Sequence, residues 1–483
     1  MNNYDKLILA IDGGTQSTKV VLFDLLGHEV CSHSVALRPM HLYGEGRAEH
    51  PDDDLWDSLK EACYKMFDKF DGNRADILGV GLGSIRCCRA IMKADGSLAS
   101  PVQSWMDIRL SRPYEHEDEA ARYVTTTTGY LTHRLTGETR DTRANYVGPW
   151  PIDPVTLDWF EDRGQFDAYA TPREMLFDLV DPASVLGAVT KAASLATGIP
   201  QGIPVVSTAN DKAVEGLGAG LLNNGTALVS LGTYITSMMV GDENRLDTVD
   251  YWSNPGAIAG EFLYESNGIR RGMSTVTWVK ELLGGDVVRE AERRGMSPEA
   301  FLNEKAKQET APGSDGLYTL LHWLARPTHA YERGMFVGFN GGHEGIHIFR
   351  SVLEGIAMTM KNNVQAMVDE RGCDLTGIIV SGGGSNGDLF MQIFADVFGV
   401  PACRNEVNGS ASLGAAMCTA LALGVYKDKD EAITNMVRRK DVFDPIPENV
   451  ALYKSINETV YRHLGTPMED LLRKSHAIFH GDA

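Results

Sequence analysis

At 483 residues the chain is longer than one ordinary hydrophobic core, and its 43% hydrophobic content supplies material for two packed interiors. A formal net charge of −20 argues against nucleic acid or an anionic membrane surface as partner, because both demand a basic footprint. The seven cysteines include no C-x-x-C or clustered Cys/His spacing, which argues against structural zinc and reads as reduced thiols in a cytoplasmic protein.

In chain order, MNNYDKLILAID carries only a five-residue apolar run, Leu7 to Ile11, too short for a secretory signal. That run predicts a strand, Asp12-Gly13-Gly14-Thr15 a turn, and Val20 to Phe23 a second strand, which together make a hairpin. A helix over Asp52 to Phe70 and strands at Ile77 to Leu82 and Pro204 to Ser207 follow. Ala227 to Leu231 and Tyr234 to Val240 then flank Gly232-Thr233 as the first pair flanks its turn, so a duplicated, two-lobed α/β protein is expected. The uncharged stretch Gly216 to Gly241 is long enough for a bilayer, but its six glycines, paired asparagines and hydroxyls predict buried strands and turns. Polarity shifts at Asp242, which divides the chain into 1–241 and 242–483. The second half predicts helices over Met273 to Leu283 and Gly345 to Glu370, a strand at Gly377 to Val380, a glycine cluster, and helices from Leu389 and over Ser412 to Leu423.

Three turns carry candidate chemistry. The first, with Asp12, Gly14, Thr15, Ser17, Thr18 and Lys19, sets backbone N–H groups, hydroxyls and a cation at a strand end, where they can cradle phosphate oxygens. Asp12 can hold Mg²⁺ through water, and the spacing is not that of a P-loop. The second turn, with Gly232 and Thr233, can close on the phosphates from the other side. Asp211, about twenty residues upstream at a strand end, is placed to accept a substrate hydroxyl proton. The third, Ser381 to Asp388 with Gly383, Gly384 and Asp388, admits a flat ring or ribose to its backbone and is not a dinucleotide fingerprint. Bland readings stand beside these: Asp388 and Glu354 as helix caps or braces, His347 as packing, Cys87 and Cys88 as small thiols after a strand.

The order of elements resembles the FGGY carbohydrate kinases. The most specific stretch is Gly334-x-Phe336-x-Gly338-Phe339 followed by His347-Ile348-x-x-Ser351-Val352-Leu353-Glu354, which fits that family's C-terminal signature. Gly46 to Trp56, Pro101 to Arg109 (W-x-D-x-R) and Thr208 to Gly220 are similar to its early, substrate and catalytic-base stretches, while the glycine cluster and Gly409 to Tyr426 resemble its adenosine end. The resemblance implies an actin/hexokinase-like (ribonuclease H-like) ATPase fold with an interdomain cleft. It also implies ATP and Mg²⁺ as cofactors and a small-molecule sugar or polyol as partner; a homodimer stays open.

Two departures bear on the substrate. Xylulokinases carry Gln-Met-His-Gly where this chain has Ile85-Arg86-Cys87-Cys88, and Arg86 resembles the arginine of glycerol kinases. The stretch between Arg109 and Arg134 is shorter than is typical, so part of the usual substrate wall is expected to be absent. The reading is therefore a kinase in which Asp211 is the base, and Arg86, Trp105, Asp107 and Asn210 read an open-chain or flexible polyol, ketose or sugar acid other than xylulose. A sugar sensor or protein-binding actin-like ATPase, and within kinases a xylulokinase, are the alternatives.

Overall fold

The computed structural model describes residues 6–222, 225–326, 329–407 and 409–480; Met1 to Asp5 and the paired asparagines Asn223 and Asn224 lie outside them. Short runs rich in Leu, Ile and Val, buried on both faces in the central strands, build a first sheet from β1 (Leu7–Gly13), β2 (Ser17–Asp24), β3 (Glu29–Ala36), β4 (Ile77–Ser84), β5 (Val185–Ala188) and β6 (Pro204–Asn210). Their order is β5-β6-β4-β1-β2-β3. Helix α1 (Asp54–Lys69) covers one face, burying Leu55, Leu59, Ala62, Met66 and Phe67 at helical spacing.

The second sheet is built from β7 (Thr226–Leu231), β8 (Ile235–Gly241), β9 (Tyr251–Pro255), β10 (Phe262–Ser266), β11 (Gly377–Ser381), β12 (Ala402–Asn405) and β13 (Arg439–Phe443), in the order β9-β10-β8-β7-β11-β12-β13. The two sheets share one plan. In each, a hairpin (β1/β2, β7/β8) extends antiparallel to a third strand (β3, β10), and its first strand runs parallel to two later ones (β4 and β6, β11 and β12). This is the duplicated two-lobed arrangement expected from the paired hairpins.

One expectation is corrected. Because β7 and β8 pair with β10 and β11, the second hairpin belongs wholly to the second sheet, so the chain changes sheets between Gly220 and Thr226 rather than at Asp242. The polarity shift at Asp242 marks the end of a buried strand, not the end of a lobe.

Two helices tie the lobes together. α2 (Asp211–Ala219) continues from β6 and packs Ala213, Val214 and Leu217 with Leu228, Met238 and Leu263 of the second sheet. In the other direction, the second lobe contributes α3 (Met273–Leu282), the long α4 (Gly345–Arg371), α5 (Asp388–Phe398) and α6 (Ser410–Ala422), the last of which lies against β1, β4 and β6 of the first sheet. α2 and α6 cross at glycines. A Cβ on Gly218 would stand 1.9 Å from the Ser410 carbonyl oxygen, and one on Gly414 would stand 1.9 Å from that of Val214. Among the described residues no helix is long and apolar enough to cross a membrane.

Candidate active site

Parallel pairing of β1, β4 and β6 lines up their carboxyl ends: Gly13 pairs with Ser84, and Ser84 with Asn210. Asp12, Arg86 and Asp211 thus emerge side by side where ligands of open α/β sheets bind. Cross-strand pairing sets Lys19 opposite Asp12. Gly13 is required by proximity, since a Cβ there would lie 2.7 Å from Ser84 Oγ.

Asp12 shows how crowded this end is. Burial, then the Asp211 charge, push its carboxyl up to about 6, with Lys19 pulling the other way. The folded state therefore binds a proton more readily than the unfolded chain, so this group favours folding at low pH and that contribution is lost as pH rises through about 6. Without nucleotide, Asp12→Asn is expected to be more stable than the unmodified protein at pH 8 by about 1–3 kcal/mol, the gap closing toward pH 4. Urea unfolding at both pH values measures it, and a variant that is less stable at pH 8 would refute it.

α2 begins at Asp211, capped by Asn210, whose Oδ1 accepts from the Lys212 and Ala213 N–H groups at 3.1 and 3.0 Å. Asp211 Oδ1 and Asn210 Nδ2 are buried without hydrogen-bond partners among the described residues. One turn on, Glu215 lies on the same helix face and reaches the second lobe. Lys212 Nζ donates to Glu215 Oε2 at 2.8 Å and to Ser230 Oγ at 3.0 Å, while Ser381 Oγ donates to Glu215 Oε1 at 2.6 Å. Burial opposes the Lys212 charge, but Glu215 and Asp211 outweigh it and lift the ammonium to about 12; Lys212 in turn holds Glu215 below its usual range against burial.

The second lobe closes the site. Ser230 of β7 pairs with Ser381 of β11, so the Gly232-Thr233 turn and the Gly383-Gly384 cluster start from adjacent strand ends. Gly382, at φ +86°, passes so near that a Cβ would stand 2.4 Å from the Leu231 carbonyl oxygen. The Thr233 and Gly232 carbonyls accept the N–H groups of Gly272 and Met273, which fixes the turn to the start of α3. Arg86 crosses from the first lobe, its Nη2 donating to Glu265 Oε2 of β10 at 2.5 Å, and Trp252 Nε1 donates to the same oxygen at 3.2 Å. Burial disfavours the Arg86 charge, but Glu265 and Asp211 together raise its pKa.

Some expected contributors point elsewhere. Thr18 alternates to the opposite face of β2 from Lys19, where its hydroxyl bonds Ser58 Oγ of α1 at 2.7 Å within the core. Asp107 is 3% exposed and both its oxygens are taken, by the Ala48 and Arg109 N–H groups and the Arg109 guanidinium, so it braces the loop rather than facing a ligand. Asp388 bonds Arg404 at 2.7 Å, as a helix brace does. Trp105 is 49% exposed. His347 joins Glu344 in a reciprocal helix cap, and Glu354 accepts from Gly313, Ser314, Arg350 and Tyr453 in the core. Cys88 is buried as expected, whereas Cys87 is partly exposed at φ +57° beside Arg86. From Gly409 to Tyr426, the start approaches the first glycine turn, a Cβ on Gly409 lying 3.1 Å from Lys19 Nζ; α6 beyond it is interlobe core.

Lys212, Glu215, Trp252 and Glu265 did not emerge from the sequence. The i, i+4 spacing of Asp211 and Glu215 on a helix could have revealed the second. Glu265 carries no local signal, since its partner lies 179 residues away.

Models of the FGGY family of carbohydrate kinases match residues 7–117 with the N-terminal domain and residues 227–423 with the C-terminal domain. Across 477 residues, 99% of this chain and 97% of the other, identity is 50% with the uncharacterized sugar kinase YgcE of Escherichia coli (strain K12). The chain belongs to the FGGY family of carbohydrate kinases. As a member of that family it is an ATP-dependent sugar kinase. An autoinducer-2 kinase of Enterobacter sp. (strain 638) is 26% identical over 92% of each chain. The fold is similar to that of a gluconate kinase from Lactobacillus acidophilus, with a TM-score of 0.84 at 21% identity over 97% of this chain and 99% of that one.

Proposed function

We propose that this FGGY kinase transfers the γ-phosphoryl group of ATP to a hydroxyl of a small sugar, polyol or sugar acid, with Asp211 as the general base. The observation that carries this reading is the convergence of Asp12, Arg86 and Asp211 at three adjacent strand ends, opposite the glycine turns of the second lobe. Asp211 keeps one carboxylate oxygen without a partner, which suits it to accept a proton from a substrate hydroxyl. Arg86 and Asn210 Nδ2 hold hydroxyl oxygens, and Lys19 and Lys212 bring positive charge to the side where the phosphates would lie.

The donor set fits Mg²⁺. Asp12 and Asp211 offer clustered carboxylates whose mutual repulsion a cation relieves. Among the described residues no three His, Cys, Asp or Glu side chains converge as a cage, and Mg²⁺ arriving on nucleotide phosphates needs only one or two carboxylates. When bound, it supplies charge neutralisation to the transferring phosphoryl. Interlobe contacts between Arg86 and Glu265 and between Lys212 and Ser230 hold the lobes against each other.

ATP turnover against a sugar panel tests the reading. Strong stimulation by one sugar, with a phosphorylated product, is expected; turnover indifferent to every sugar would overturn it.

A further inference from the structure

The Arg86–Glu265 pair has a consequence for which sugars can enter. An unpaired arginine beside a catalytic carboxylate is a natural seat for a substrate carboxylate, through a two-pronged hydrogen bond. Here the charge of that arginine is already offset by the protein itself, through one of its nitrogens. Arg86 is 19% exposed and bonds Glu265 Oε2 at 2.5 Å, and Glu265 is fully buried, held also by Trp252.

We propose that Glu265 makes this kinase selective for uncharged polyols and keto-sugars over sugar acids, by neutralising Arg86 in advance and offering its second oxygen to a hydroxyl. The inference rests on the kinase reading above and narrows its substrate class.

Three observations support it. First, an acid pairing with the free N–H groups of Arg86 would bring a second carboxylate against buried Glu265, on a guanidinium whose charge Glu265 already offsets, and uncompensated buried charges are strongly disfavoured. Second, the acid would add negative charge beside Asp211, where Asp12 already feels both Asp211 and Glu215. Third, Glu265 Oε1 and Asp211 Oδ1 are buried acceptors with no partner among the described residues. Arg86 and Cys87 each feel both carboxylates, so the two acidic side chains lie in the same neighbourhood. Hydroxyl groups donate to such acceptors, whereas an ionised carboxylate cannot. The pair also joins the lobes, Arg86 following β4 and Glu265 lying in β10, so the selectivity exists only when the lobes meet.

Matched ligands test this: ribitol against ribonate and glucitol against gluconate, each by calorimetric titration and by phosphorylation with ATP. Preference for the neutral member by about 10²-fold or more is expected, since burying a second carboxylate beside an already neutralised guanidinium carries a penalty of that order. In Glu265→Gln, which frees Arg86 while keeping the shape, the acid-to-neutral affinity ratio should rise at least ~10-fold, and Glu265→Asp should restore the original ratio. Melting curves establish that both variants are folded. Equal or tighter binding of the acids by the unmodified protein, an unchanged ratio in a folded Glu265→Gln protein, or binding of neither class would each overturn the proposal. Neutral-selective binding without phosphoryl transfer would uphold it and overturn the kinase mechanism instead.

Discussion

Asp211→Asn is expected to lower kcat for sugar phosphorylation by about 10²–10⁴-fold while nucleotide affinity stays close to that of the unmodified protein. The substitution keeps the side-chain shape at the first residue of α2 and leaves the Asn210 cap, which bonds backbone N–H groups, in place. What it removes is the ability of the buried, unpaired Oδ1 position to take a proton from the acceptor hydroxyl. It also takes away a negative charge beside Asp12, so the Asp12 carboxyl should titrate lower. Steady-state kinetics with the best sugar of the panel, together with nucleotide titration, separates the two effects. A folded Asp211→Asn protein with near-normal turnover would refute the base assignment, and one that no longer binds nucleotide would place Asp211 chiefly in the metal site.

Gly414→Ala should destabilise the protein by about 3 kcal/mol or more, the upper end of what overpacking causes. In an ordinary helix interior the sign would be opposite, because Ala is favoured over Gly by roughly 0.5–1 kcal/mol. Here the new methyl would stand 1.9 Å from the Val214 carbonyl oxygen and 2.7 Å from its carbon. Both are backbone atoms of a helix, so no rotamer change relieves the clash; α2 and α6 must separate, opening the core that Leu217, Leu228 and Leu413 share. Gly216→Ala serves as the control, since its Cβ would meet only flexible side-chain ends, Leu263 Cδ1 at 3.3 Å and Leu221 Cδ2 at 3.7 Å. Urea unfolding of the two variants distinguishes the crossing from a general intolerance of alanine in these two packed helices, and a Gly414→Ala protein as stable as the unmodified one would show that the helices do not touch as described.

The sequence by itself determined the elements and their kinship. Local pattern placed the hairpins at Leu7–Asp24 and Thr226–Gly241 and the helices at Asp54–Lys69, Gly345–Arg371 and Ser410–Ala422 within a few residues, because alternation and helical spacing are properties of neighbouring residues. The FGGY signature and the glycine turns pointed to a kinase for the same reason, each being a short contiguous motif. The order of Asp12, Asp211 and Gly232 along the chain was likewise legible, although not how near one another their side chains stand. Only the tertiary structure decided which side chains share the site. Thr18 and Asp107 sit in the right motifs but turn to Ser58 and Arg109, because pleat direction and loop bracing are set by what packs against them. Glu265 and Lys212 enter because two sheets, joined through the α2–α6 crossing, bring their strand ends together. The lobe boundary moved for the same reason: a strand belongs to the sheet that hydrogen-bonds it, and for Thr226–Gly241 those bonds are made with residues that follow later in the chain.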